Sequence, residues 1–217
     1  MTAANNEEKL KIYSYYRSSA AYRVRIALNL KKLNYEIIPV NLLEDEQNSG
    51  EYKTLNPQGL VPLLSINAQA NLSQSLAILE WLEESYPSPA LLPEDIYSKN
   101  KVRSLCYQIA CDIHPICNLR VLKYVANTLE QGEKGKLAWI HQWITAGFNA
   151  LERQVGDTFA YGGKLSMADV LIVPQVYNAL RFNIDMEDYP NIMSIHSHCS
   201  QLEAFQQAHP DNQAAFN

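Results

Sequence analysis

Two neighbouring hydroxyls, Ser18 and Ser19, stand where strand-forming residues give way to a helical pattern, in Tyr15-Tyr16-Arg17-Ser18-Ser19-Ala20-Ala21-Tyr22-Arg23-Val24-Arg25. The first backbone N–H groups of a helix have no partner inside it, and the helix dipole adds partial positive charge there. A thiolate, carboxylate or phosphate is stabilised at such a junction. Serine also belongs to the best class of N-cap, so the plainer reading of the pair is a helix start and nothing more. Gln74-Ser75 opens a second helical stretch with the same two readings. Between them, Val61-Pro62 stands at the start of a short strand. Trans is the ordinary form of an X-Pro bond there. In the cis form the Val61 backbone is left to pair with an extended ligand rather than with a neighbouring strand.

The elements that would position these groups follow from periodicity. Residues 10–16 and 35–42 are rich in aromatic and β-branched types and read as strands. Ala20, Val24, Ala27 and Leu28 between them fall at helical spacing, which makes a strand, helix, strand unit with a parallel pair. Residues 60–66 and 70–72 read as two strands about a turn at Asn67, and residues 73–85 as a helix with Leu76, Leu79 and Leu82 on one face. The segment between residues 43 and 59 has no defined element. Three prolines within Pro87-Ser88-Pro89-Ala90-Leu91-Leu92-Pro93 mark a linker.

Beyond that linker the pattern is helical throughout, with helices expected over residues 98–129 and 133–155, broken near Gly132 and Gly156. Ser166-Met167-Ala168-Asp169 follows the sense of a capping box. The stretch Val170 to Val176, apolar on nearly all sides, predicts a buried central helix bent at Pro174. A last helix is expected over residues 190–208, with proline in its first turn.

Composition bounds the function. The 217 residues suffice for two domains, and 47% hydrophobic with 19% charged residues describes a soluble globular chain. A net charge of −5 with no Lys/Arg block argues against nucleic acid. A local arginine cluster still allows an anionic small molecule. No apolar run approaches the ~20 residues of a membrane span, and the polar stretch from Thr2 to Lys9 is unlike a signal peptide. Cys106, Cys111, Cys117 and Cys199 form no Cys-x-x-Cys pair, so reduced thiols in a cytoplasmic protein are the simplest reading, and no metal site is expected.

In this order the features resemble the cytosolic glutathione transferase superfamily. Tyr13 to Ser19 with Arg23-Val24-Arg25-Ile26-Ala27-Leu28 is similar to the zeta class, as are Leu55-Asn56-Pro57-Gln58-Gly59-Leu60-Val61-Pro62, Gln74 to Ile78, and Val173 to Val176 followed by Asn178 to Phe182. The resemblance runs from about Lys9 to Pro210. It implies an α/β plus all-α chain: a thioredoxin-like βαβ-ββα domain over residues 8–90 and an all-helical domain over residues 95–217. It also implies a homodimer, glutathione as cofactor and a small dicarboxylic acid as substrate.

Carried over residue by residue, the resemblance gives Ser18, assisted by Ser19, the role of hydrogen-bonding the glutathione sulfur. Val61, with Pro62, pairs with the cysteinyl part, Gln74 and Ser75 hold the γ-glutamyl carboxylate, and Gln47 lies near the glycyl end. In Asp112-Ile113-His114-Pro115-Ile116-Cys117-Asn118-Leu119-Arg120 it adds His114 and Asn118 to the glutathione-binding group and Arg120 to the cleft. Arg181 and Arg17 are to receive substrate carboxylates. The family usually carries cysteine after the two serines, whereas Ala20 stands here, so a protein thiol as nucleophile is excluded at that place. The implied reaction is glutathione-dependent cis–trans isomerisation of maleylacetoacetate in tyrosine and phenylalanine catabolism. Maleylpyruvate isomerisation, general glutathione transfer and a non-catalytic glutathione-binding scaffold are the alternatives.

Plainer roles stand beside these. Arg23 and Arg25 read as solvated or paired helix residues, Arg120 as a partner of Asp112 or Glu130, and His114 as a bend residue. Cys111 and Cys117 read as filling space between helices.

Overall fold

In the computed structural model, residues 9–67 and 70–214 are described. The chain divides into two compact units, one reaching Pro89 and completed by the residues from Ala204 onward, the other spanning Ala90–Glu203. The changeover falls inside the proline-rich segment. The C-terminal residues, expected with the helical domain, belong instead to the first unit.

The first unit begins with β1 (Leu10–Ser14), α1 (Ser19–Leu30) and β2 (Tyr35–Pro39). It continues through a 3₁₀ turn (Glu46–Asn48) and α2 (Gly50–Leu55) to β3 (Leu63–Asn67), β4 (Ala70–Ser73) and α3 (Ser75–Ser85). The sheet order is β2-β1-β3-β4, with β1 parallel to β2 and antiparallel to β3. Leu10, Ile12 and Ser14 alternate on one buried face of β1, while Tyr13 on the other meets Val40, Tyr52 and Leu63. That second cluster is why the segment after β2, left undefined from sequence, folds. Ser49 caps α2 by accepting from the Tyr52 N–H at 3.1 Å, and the buried Tyr52 hydroxyl donates to the Leu60 carbonyl at 2.7 Å.

The second unit contains α4 (Ile96–Tyr107), α5 (Leu119–Lys123), α6 (Gly132–Leu151), α7 (Met167–Arg181) and α8 (Pro190–Cys199). The expected helix over residues 98–129 is broken. The chain widens into π-helical turns at Gln108–Ile113 and Tyr124–Thr128, and it stops at His114 because Pro115 has no N–H to continue the ladder. Asn118 then restarts it by capping α5, its Oδ1 accepting from the Arg120 N–H at 3.0 Å. The expected last helix is also two. After α8, bonds from Gln201 to His198 and from Leu202 to Cys199 tighten the chain into a turn before α9 (Glu203–Ala208).

As its pattern predicts, α7 is buried along nearly its whole length and runs through Pro174. Among the described residues, no helix is long and apolar enough to cross a membrane.

Candidate functional site

Ser18 is the N-cap of α1: its Oγ accepts from the Ala21 N–H at 3.2 Å, and its own N–H donates to the Tyr15 carbonyl at 2.9 Å. The capping reading is therefore correct, and it does not exhaust the side chain. A hydroxyl that accepts from the backbone keeps its O–H to donate. Ser18 is partly exposed, while Ser19 and Ala20 behind it are buried. Arg17 is exposed, its guanidinium 5.0 Å from the centre of the Tyr16 ring.

At α3 neither Ser73 nor Ser75 is the cap. Gln74 holds that position with a left-handed φ of 68° and no side-chain cap bond. Such a backbone is uncommon for a residue with a Cβ and is held by its surroundings. The Gln74 amide donates to Gln58 Oε1 at 2.7 Å, and the buried Ser75 hydroxyl accepts from Arg23 Nη1 at 3.1 Å. Val61 precedes β3 and stands outside its ladder, and the Val61-Pro62 bond is cis. Gln47 is buried in the 3₁₀ turn; its amide donates to Asp45 Oδ1 at 2.7 Å, and its Oε1 has no hydrogen-bond partner among the described residues. Gly59 makes this approach possible. At φ +61° a side chain there is strained, and a Cβ would lie 2.9 Å from the Gln47 carbonyl.

Arg23 and Arg25, read from sequence as solvated or paired, are not solvated: both are buried. Arg25 donates to Ser14 Oγ, the Tyr16 carbonyl and the Ala208 carbonyl at 2.9, 3.2 and 3.1 Å. Local sequence carries no signal for this, because the Ser75 partner of Arg23 and the Ala208 partner of Arg25 lie 52 and 183 residues away. From Ser19 to Leu28 every residue of α1 is buried, so a charged side chain there has interior work.

In the second unit, His114, Pro115, Cys117 and Asn118 are half-buried in the connection between the π-helical turn and α5, and the Trp139 indole N–H fastens that connection by donating to the Ile116 carbonyl at 3.0 Å. Burial pushes the Cys117 thiol up to about 11. Cys111, expected to fill packing space, is exposed because the widened turn carries it outward. Arg120 is exposed and, among the described residues, pairs with neither Asp112 nor Glu130. Arg181 ends α7, exposed, with its guanidinium 4.6 Å from the Phe182 ring centre. His141 on α6 lies 2.8 Å through Nε2 from the Phe182 carbonyl and so braces the end of that helix.

A βαβ-ββα unit that presents a capped hydroxyl at one helix start and an uncapped helix start beside it, joined to an all-helical unit, is the architecture of a glutathione transferase. The family described as glutathione S-transferase, N-terminal domain, matches residues 17–85. A probable maleylacetoacetate isomerase of Vibrio cholerae is 47% identical over 209 residues, covering 94% of this chain and 97% of that one. The holo structure of maleyl pyruvate isomerase, a bacterial zeta-class glutathione S-transferase, superposes with a TM-score of 0.91 at 44% identity, covering 94% of this chain and 98% of the other. A maleylacetoacetate isomerase of Methylobacterium extorquens AM1, solved with malonate and glutathione bound, gives a TM-score of 0.92 at 34% identity, over 95% and 100%. The chain belongs to the zeta-class glutathione transferase and maleylacetoacetate isomerase family, a family of enzymes.

Proposed function

We propose that this chain is a cytoplasmic homodimer that converts maleylacetoacetate to fumarylacetoacetate in tyrosine and phenylalanine catabolism, with glutathione as cofactor. The observation that carries the reading is Ser18: its acceptor side is engaged by the Ala21 N–H, so its O–H is left to donate at the positive end of α1. The first unit suits the tripeptide in three further respects. Val61 stands outside the β3 ladder, the buried Gln47 Oε1 lacks a partner among the described residues, and α3 begins at Ser75 without a side-chain cap.

When bound, glutathione supplies a thiolate that adds to the activated cis double bond and departs after rotation. An ordinary thiol, at about 8.5, is mostly protonated near neutrality. The Ser18 hydroxyl and the α1 N-terminus favour the anion and lower that value, with Ser19 assisting from behind. Val61 and Pro62 align the extended tripeptide, Gln74 and Ser75 take its γ-glutamyl end, and Gln47 lies near its glycyl end, where Oε1, without a partner among the described residues, is free to accept from the glycyl N–H. The Asn118 carbonyl oxygen is occupied as a helix cap, so its amide N–H₂ is the group available for binding, next to His114. Arg181, Arg17 and Arg120 supply positive charge for the carboxylates of a dianionic substrate. With Ala20 after the serines, the polypeptide offers no thiol there.

Maleylpyruvate is the second substrate to consider, since a relative of that name is 44% identical. Leu119, where the resemblance leads one to expect a second arginine beside Arg120 in a maleylpyruvate isomerase, speaks against it. Purified protein given glutathione and each maleyl acid in turn, followed by ultraviolet absorbance, tests the reading. Ser18→Ala is expected to lower turnover about a hundredfold with little loss of glutathione affinity. Arg181→Ala is expected to raise KM about tenfold or more, as befits a lost charge-assisted bond. Unchanged kinetics in both variants contradict the assignment, and glutathione capture without turnover of either acid favours the scaffold alternative.

A further inference from the structure

We infer that Arg25 is a positioning residue for the Ser18 hydroxyl, and that through it the C-terminal segment helps set the acidity of the bound thiol. The inference rests on the function proposed for Ser18. Arg25 lies seven residues beyond Ser18 on α1 and is wholly buried. Side chains on a helix lean toward its N-terminus, so the guanidinium reaches back to the strand end and the connection from which α1 starts. Its three donor nitrogens go to three places: Nη1 to Ser14 Oγ at the end of β1, Nη2 to the Tyr16 carbonyl within the connection, and Nε to the Ala208 carbonyl at the end of α9.

The connection is thus pinned at adjacent points. Tyr16 is held by Arg25, and Ser18 is held by its N–H bond to Tyr15 and its cap bond to Ala21. Only Arg17 lies between the two anchors. Releasing the Tyr16 carbonyl lets the residue before the cap shift, and hydroxyl donors are sensitive to shifts of under an ångström. The Ala208 bond explains why the chain end belongs to the first unit. A planar fork with fixed N–H directions can serve acceptors on three separate segments, whereas a lysine ammonium at the end of a flexible stem cannot reach all three. Charge alone does not perform this role.

The test measures the pKa of the thiol of bound glutathione by ultraviolet titration in Arg25→Lys, Ser14→Ala, Ser18→Ala and the Arg25→Lys/Ser18→Ala double variant. Near-ultraviolet circular dichroism confirms folding and calorimetry measures glutathione affinity. Arg25→Lys is expected to raise the bound-thiol pKa by about one unit despite retaining its charge. Ser14→Ala, which removes one of the three acceptors together with a long bond from Ser14 Oγ to the Tyr15 carbonyl at 3.5 Å, is expected to shift it the same way by less. The double variant is expected to match Ser18→Ala, because Arg25 acts through that hydroxyl. If Ser18→Ala raises the value while neither Arg25→Lys nor Ser14→Ala does, the role of Arg25 is overturned and that of Ser18 stands. If shifts from Arg25→Lys and Ser18→Ala add in full, Arg25 does not act through Ser18 and the inference is overturned. If Ser18→Ala leaves the thiol unchanged, both readings fall. Should Arg25→Lys fail to fold, Ser14→Ala alone decides, and an unshifted pKa in it overturns the inference.

Discussion

Ser18 caps α1, and the chemistry proposed for it needs only the donor that capping leaves over. Its lone pair stabilises the start of α1, and its O–H remains a donor at the positive end of the helix dipole. Capping and the role proposed for Ser18 therefore do not compete, since one uses the acceptor side of the hydroxyl and the other its donor. The cysteines separate in the opposite way. Cys117 is held at about 11 by burial and stays a thiol at pH 8, Cys111 is exposed, and Cys106 and Cys199 are buried, with burial pushing the Cys199 thiol well up. Iodoacetamide at pH 8 is therefore expected to label Cys111 first, Cys117 slowly, and the other two only after denaturation. Peptide mass spectrometry over time checks this, and equal rates at Cys111 and Cys117 contradict the burial described.

The secondary-structure elements are held by polar groups at their ends as much as by apolar faces. At the start of α7 the Asp169 carboxylate accepts from the Ser166 N–H at 2.7 Å, the Ser166 hydroxyl at 2.9 Å and the Ala160 N–H at 2.7 Å, all buried. The capping box is present as expected, with a third donor that no local pattern foretells. Burial is the largest influence on Asp169 and raises its carboxyl above the ordinary aspartate value, against the pull of these bonds. An acid raised in the folded state binds its proton more tightly there than when unfolded. Its contribution to stability is thus fully present below about pH 3.9 and is lost as pH rises through the folded value. Asp169→Asn sets an amide N–H₂ against one backbone donor and is expected to cost about 1–3 kcal/mol. Thermal unfolding from pH 3 upward should show the wild-type advantage shrinking as pH rises, whereas a widening advantage reverses the sign assigned here.

Chain connectivity and spatial grouping part company at Ala204. The first unit recovers the C-terminal segment through the Arg25 bond to Ala208 and an Asn29 side-chain bond to the Ala204 carbonyl at 3.0 Å. At its other margin the buried Lys31 ammonium gathers α1, α3 and the proline-rich segment, donating to Glu83 at 2.8 Å and to the Tyr86 and Pro89 carbonyls at 2.5 and 3.1 Å. Lys31→Met removes the cation from a buried pair and leaves the Glu83 carboxylate behind. A loss of about 3–5 kcal/mol is expected in urea unfolding. A loss below about 1 kcal/mol would assign Lys31 the small weight of a surface ion pair.

Sequence alone determined the βαβ-ββα order, the buried α7, the linker and the identity of the serine-bearing helix start, because each is written in local periodicity, capping residues or proline content over a few turns. It also located Ser18, Val61, Gln74 and Ser75 as candidates, since helix starts and strand starts are local events. What lay beyond it depends on residues far apart in the chain. At Pro115 the sequence marks a bend at His114 but not a full break, because the helical periodicity continues on both sides. The fold of residues 46–55 relies on Tyr13, Val40 and Leu63 covering Tyr52. Arg23 and Arg25 look like surface charges until Ser75, 52 residues from Arg23, and Ala208, 183 residues from Arg25, are brought against them. Arg25 is tolerated in the interior because acceptors on three segments, at Ser14, Tyr16 and Ala208, converge on its guanidinium, and that convergence exists only once the chain has folded.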